Sequence, residues 1–496
     1  MDFRSPVYAL FLLSVVALFW CLAQPQLRVW ALLLASVIFY ASLQVQYVPL
    51  LLVAAWINFQ LGRAIGAPPD WRIVDWNYAQ QDWSKRRIKL LWLGIGLNLM
   101  LLLSFKYMPF AIAGIGDALK LPMLPAMTNW KQLSTLAPFG LSFFCFESIA
   151  YLVDIHRGAP AAQSFTKFSA YKLFFPKLIS GPITRYHLFA GQLQKLQPPQ
   201  IDQIAEGLWL IARGAVKKGI FADRIGDYVN LSFDNLARAG SGDVWLTTIA
   251  YGLQIYLDFS GYVDLARGSA MLLGFNLPQN FDQPYFTTSL AEFWRRWHIS
   301  LGDWLRNYLY FPLGGSRQGL GRTCLNLIIV MLLAGLWHGA AWGFVVWGGI
   351  HGLGLAIHRL VDTLSRKSEG LLKFWGSIPG MVLGWFLTQL TVFLSWICFR
   401  LPNLSDAGLA YSKLWGAPTD PQFFQKIYVE SLKLYPHQIA GLLGAIAIAM
   451  GLSALMQRGL KLQLNWFLRL LLVPVCLYAV WIFAPDGAAR YIYFDF

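Results

Sequence analysis

Apolar runs long enough to cross a membrane alternate with short polar stretches along nearly the whole chain. Runs near 6–23, 29–44 and 47–62 predict three closely spaced helices. A fourth is predicted near 88–108, and others near 136–154, 244–266, 324–338, 341–360, 380–398, 437–456 and 466–484. A helix rises about 1.5 Å per residue, so roughly 20 apolar residues cross the hydrocarbon layer. The pattern therefore predicts an all-α fold, a polytopic membrane protein with about ten to twelve transmembrane helices. The first run is preceded only by Asp2 and Arg4 as charges, and no small-residue cleavage site follows it. It reads as a retained helix and not as a signal peptide.

The polar interruptions carry finer expectations. Loop 63–89 ends in Lys85-Arg86-Arg87 and Lys89, which the positive-inside rule places in the cytoplasm. Counting back three spans puts the N-terminus outside. Residues 109–135, with Gly116, Pro122 and Pro125, read as an outer loop with short helical pieces. Glu147 breaks the apolar run 136–154 and reads as a hydrogen-bonded carboxyl joining two helices. Residues 171–186 are interrupted by Pro176, Gly181 and Pro182. Broken backbone at membrane depth survives only where protein or water satisfies it, so a re-entrant or interfacial element lining a cavity is expected. Its Lys177 and Arg185 could meet an anionic donor or snorkel to headgroups. The run 205–232, with Arg213, Lys217, Lys218, Asp223 and Arg224, suits an amphipathic helix at the cytoplasmic interface. Asp258 and Asp264 are six apart and do not share a helical face. They are expected to cap a break at Ser260-Gly261 or to partner Arg267. His351 and His358 lie seven apart on one face without nearby carboxylates, unlike a metal pair, and read as structural.

Composition sharpens this picture. The chain is 57% hydrophobic and 13% charged with a mean hydropathy of +0.49, which excludes a soluble domain. In so apolar a chain a net charge of +15 signals basic loops against anionic membrane lipids, and no nucleic-acid partner is expected. Cys21, Cys145, Cys324, Cys398 and Cys476 are scattered in or beside apolar runs with no CxxC spacing. They are expected as small buried hydrophobes, with neither disulfide nor metal.

The stretch from Phe293 to Gly339 holds the candidate chemistry. His298 and His338 lie forty residues apart in it. His338 closes an apolar segment that opens near Cys324 and could reach the middle of a bilayer, where an ionisable group is costly and reads as functional. At helical spacing Trp294, His298, Leu301 and Leu305 fall on one face, opposite Glu292, Arg295, Arg296, Asp303 and Arg306. The segments F-W-R-R-W-H-I-S-L at 293–301, W-L-R-N-Y-L-Y-F-P-L-G-G at 304–315 and G-L-W-H-G-A at 335–340 resemble the signature region of the membrane-bound O-acyltransferase family. The likeness is to its bacterial polysaccharide O-acetylation branch, the alginate O-acetyltransferase-like group. It runs from about Phe105 to Phe496 and is densest across 251–340. One departure is Asn307, where many members carry Asp.

The resemblance implies one transmembrane domain over 1–496, with N-terminal helices in 1–110, a catalytic core in 136–360 and C-terminal helices in 380–496. It also implies re-entrant or interfacial helices around a central channel. His338 and His298 take the roles of the family's two active-site histidines. The implied activity moves an acyl group, an acetyl by analogy, from a cytoplasmic thioester such as acetyl-CoA to hydroxyls of an extracellular polysaccharide. No bound cofactor or metal is implied, and a periplasmic acetylesterase-like partner in the inner or plasma membrane assembly is.

The residues allow that chemistry. No GxSxG elbow, Walker A loop, GxGxxG cradle or HExxH motif occurs. A buried neutral imidazole can take the proton of an attacking hydroxyl and return it to the leaving thiolate. His338 is the candidate base and His298 the group that orients a substrate or stabilises the oxyanion. Trp294, Trp297 and Trp337 are candidate cavity walls, and Arg295 and Arg296 candidate interface anchors or phosphate attractors. Rival readings are D-alanyl, lipid or protein acyl transfer within the family, a transporter, or a scaffold. Transporters often show matching halves, and no internal repeat is visible here.

Overall fold

Lipid-facing and protein-wrapped helices look alike in hydropathy, and their burial separates them. A computed structural model describes residues 5–69, 76–108, 137–462, 464–485 and 491–492. Among these residues the chain is helical, with one isolated bridge pair, Phe281 and Trp297. Seven helical segments among them are long and apolar enough to cross a membrane: Pro25–Gly66, Ala79–Tyr107, Gly319–His338, Trp342–Ser365, Ile378–Arg400, Pro436–Gly459 and Trp466–Phe483. Pro25–Gly66 holds two α-helices joined at Val45–Tyr47. In Trp466–Phe483 none of the span is buried among the described residues, as suits a helix that faces lipid.

Pro25–Gly66 covers two of the expected spans, Pro6–Cys21 is apolar but only 16 residues long, and two further runs account for the rest of the difference from the expected number. The runs 136–154 and 244–266 do form helices, but protein wraps them. Leu141–His156 is only 16 residues, 13 of them buried, and Ser241–Leu272 is buried from 251 to 266 except at Gln254. Apolar length alone does not say whether the neighbour is lipid or protein. The expected outer loop at 109–135 lies outside the described residues.

The chain divides into two compact units, one including residues up to 211 and 264–278, the other 212–263 and 279–492. In the first unit α1 (Pro6–Cys21), α2 (Pro25–Gln44), α3 (Val48–Gly66), α4 (Trp76–Leu102), α5 (Leu141–His156) and α6 (Phe165–Lys172) follow in order. The loop expected at 63–89 is helical from Trp76, because its Gln-, Lys- and Arg-rich second half favours helix and continues the span. Arg87 caps two neighbouring helices: its Nε donates to the Ile65 carbonyl at 2.9 Å, and its Nη2 to those of Ile155 and His156 at 3.0 and 2.7 Å.

After α6 the backbone leaves helical geometry, as Pro176 and Pro182 require, and residues 171–184 are all buried. Buried irregular backbone must find partners. The Phe175 N–H donates to Ser36 Oγ at 3.2 Å, the Thr184 N–H to Glu147 Oε1 at 3.0 Å, and the Tyr171 hydroxyl to the Thr184 carbonyl at 2.7 Å. Lys177 pairs with Glu147, and Lys172 Nζ lies 3.8 Å from the same carboxylate while donating to the Phe144 carbonyl at 2.7 Å. Lys177 therefore neither snorkels nor waits for an anion. It holds a broken segment to α5.

In the second unit α7 (Asp223–Asp234) precedes the first part of α8 (Ser241–Leu272), a helix whose residues from Asp264 are counted with the first unit and which runs unbroken through Ser260-Gly261. The expected break does not form. Asp258 instead receives Lys218 Nζ at 2.5 Å, and Lys218 also meets Asp223 at 2.9 Å. The second oxygen of Asp258 accepts the Ile492 N–H at 2.9 Å, while Tyr491 covers the Lys218 ammonium.

Candidate active site

The stretch 290–305 is two short helices, α9 (Leu290–Arg296) and α10 (Ile299–Leu305), not the single amphipathic helix its spacing suggests. The break falls on Trp297-His298. His298 adopts φ 45, ψ 55, a left-handed conformation that costs a non-glycine residue energy and persists only where its surroundings enforce it. Here segment 280–282 clamps both flanks. The Asp282 N–H donates to the Arg296 carbonyl at 3.0 Å, and the Ile299 N–H to the Asn280 carbonyl at 3.0 Å. The Ser300 N–H donates to Asn280 Oδ1 at 3.0 Å. The break turns the His298 ring away from the face shared by Trp294 and Leu301 and sets it against Phe259, centroids 4.8 Å apart.

His338 is brought in by a helical hairpin. It is the last residue of α11 (Gly319–His338), and α12 (Trp342–Ser365) follows after three residues. The two helices touch along a glycine seam. A methyl group at Gly335 would overlap the Phe344 carbonyl, and one at Gly348 the Met331 carbonyl. Protein, not depth in a span, encloses His338, which is 2% exposed. Its ring lies 4.8 Å from Trp337, 5.1 Å from Trp347 and 5.0 Å from Phe399. Trp337 is also 6.1 Å from His298, so one indole contacts both buried imidazoles.

The other candidate residues have different surroundings. Trp297 stacks on Phe293 at 5.5 Å and packs against Trp396 at 5.1 Å. The Trp294 indole N–H donates to His351 Nδ1 at 3.3 Å. Ser395 Oγ donates to the Val392 carbonyl, so its contact with His351 Nε2, 2.9 Å, is one in which the imidazole donates. Both nitrogens of His351 are thus used, which fixes a neutral tautomer and a structural role. Arg296 pairs with Glu292 one turn back. Asn307 Nδ2 donates to the Asp303 carbonyl at 2.7 Å. Arg295 lines a cavity of about 360 Å³ to which neither His298 nor His338 contributes. Among the described residues no group of three or more His, Cys, Asp or Glu side chains is placed to hold a metal.

Trp347, Phe399, Phe259 and Asn280 were missed by sequence reasoning. Trp347 stands four before His351 in W-G-G-I-H, a spacing that could have flagged it. The other three come from distant elements and carry no local signal.

A model of the membrane-bound O-acyltransferase family matches residues 159–399. The chain is 37% identical over 417 residues to the "probable alginate O-acetylase AlgI" of Pseudomonas syringae pv. tomato, covering 84% of this chain and 75% of that protein. The chain belongs to the membrane-bound O-acyltransferase family. It is also 32% identical over 409 residues to the peptidoglycan O-acetyltransferase of Helicobacter pylori, covering 77% and 72% of the two. A teichoic acid D-alanyltransferase of Streptococcus thermophilus is 29% identical over 285 residues, 54% of this chain and 69% of that one. The protein is a multi-pass membrane O-acyltransferase, and both imidazoles fall inside the matched family region.

The clamp on His298 makes a testable claim for this O-acyltransferase. Asn280→Ala removes the side-chain oxygen that accepts from the Ser300 N–H and loosens the left-handed turn. Acyl transfer is expected to fall about 10- to 100-fold, since small displacements of a positioned group are costly. Membrane abundance should stay near normal. Transfer at the wild-type rate would show that the clamp has no part in function.

Proposed function

We propose that this O-acyltransferase moves an acetyl group from cytoplasmic acetyl-CoA to hydroxyls of an extracellular polysaccharide. The observation that carries this reading is the pair of buried imidazoles that both contact Trp337, in a chain similar over most of its length to alginate and peptidoglycan O-acetylases. His338 is the general base. It takes the proton of the acceptor hydroxyl as the oxygen attacks the thioester carbonyl, and the tetrahedral adduct then expels the thiolate, which receives that proton. His298, held in place by its strained turn, faces the developing oxyanion or orients the acetyl group. Enclosure by rings keeps water from the acyl group. With His338 this enclosed, at least one ring must swing aside for substrates to enter, and Trp337 touches both imidazoles.

The N-terminus lies outside and the Lys85–Lys89 stretch inside the bacterial inner membrane, as the basic residues indicate. A periplasmic acetylesterase-like partner completes delivery to the glycan. The test supplies labelled acetyl-CoA to inside-out membrane vesicles holding the protein and its cellular glycan. Label is expected to appear on the glycan and to be released by mild base. Transfer from a D-alanyl carrier protein with none from acetyl-CoA would replace this reading by D-alanylation.

A further inference from the structure

The cavity beside Arg295 lies at the far end of the α11–α12 hairpin from His338, and Arg295 joins its wall three residues before His298. Thr323, on its wall, precedes His338 by fifteen residues of helix, about 22 Å. Three guanidiniums line it, Arg295, Arg359 and Arg366, against one carboxylate, Asp362. That carboxylate is divided. It lies 3.4 Å from Arg359 Nη1 and 3.2 Å from Arg366 Nε, both longer than a well-formed ionic hydrogen bond. Arg359 Nε is buried and has no hydrogen-bond acceptor. Arg295 has no acidic partner among the described residues. Three positive charges against one negative leave the lining at +2 with His358 neutral.

A buried guanidinium N–H without an acceptor is costly, and planar N–H forks match phosphate oxygens. The hydroxyl of Tyr310 adds a neutral donor on the same wall. The volume, about 360 Å³, is ample for one or two phosphate groups. We propose that this cavity is a phosphate-binding site, distinct from the acyl-transfer centre. Its ligand is either the headgroup of an anionic phospholipid, which basic pockets between membrane helices commonly hold, or a soluble phosphate ester.

The test uses the full-length protein in detergent, with two probes. Inorganic pyrophosphate binding is followed by the rise in unfolding temperature, and phosphatidylglycerol retention against phosphatidylcholine by native mass spectrometry. Two variants are compared with wild type: Arg295→Gln with Arg359→Gln, and Ser316→Asp. Ser316 is an exposed residue of the lining, so the second variant adds a negative charge without removing an arginine and stays informative if the first misfolds. Saturable binding of either probe, weakened at least about tenfold in the variants, is expected. Pyrophosphate binding identifies a soluble ligand, and selective phosphatidylglycerol retention without it identifies a lipid. Binding equal in wild type and variants, or no binding of either probe to wild type, overturns the assignment.

Discussion

Replacing His338 with alanine is expected to cut acyl transfer by about 10²–10⁴-fold, the usual contribution of a positioned acid–base group. The imidazole stands at the end of α11 between Trp337, Trp347 and Phe399, and removing it leaves a hole among rings. Some destabilisation is therefore expected from packing alone. His338→Asn separates the two effects, because it fills much of the volume and cannot exchange a proton near neutral pH. Both variants should reach the membrane in wild-type amounts and leave the glycan without acyl groups. Acylation of the glycan at wild-type levels by either variant, with normal protein abundance, rules out His338 as the base.

The second large effect concerns stability. Glu147→Ala removes the carboxylate shared by Lys177, Lys172 and the Thr184 N–H, in surroundings where the side chains are almost fully buried. Two ammonium groups are left facing each other without a counter-charge. Breaking a buried ion pair by removing one partner costs about 3–5 kcal/mol, which is a large share of a typical domain's stability. The irregular segment 171–184 is tied to α5 through this carboxylate, so local unfolding should start there. The unfolding temperature in detergent is expected to fall by several degrees or more, with less protein in the membrane. Adding Lys177→Met to Glu147→Gln should recover part of the loss by removing a buried charge. An unfolding temperature unchanged by Glu147→Ala would mean that water reaches the cluster and already solvates it.

The fold class and the family were legible in the chain itself. Hydropathy repeats over windows of about twenty residues, and the bias of basic residues to short loops, are local properties that survive without any tertiary contact. The segment from Phe293 to Gly339 is dense enough in Trp, His and Arg for its likeness to be read directly. The break of 171–186 was also readable, because proline at 176 and 182 forbids regular helix whatever surrounds it.

Tertiary structure decided the rest. Helical spacing put His298 on one face with Trp294, yet segment 280–282 hydrogen-bonds both flanks of the residue and forces a left-handed turn, which no local pattern encodes. Burial of Leu141–His156 by protein, the pairing of Lys177 with Glu147 and that of Asp258 with Lys218 depend on elements 30 to 40 residues apart. So does the contact of Trp337 with both imidazoles, while a glycine seam lets α11 and α12 touch beside His338. Hydropathy and backbone propensity are sums over neighbours in the chain, so one sequence suffices to read them. Which apolar face meets lipid, and which charge finds its partner, depends on packing between distant residues, and that is settled only when the helices assemble.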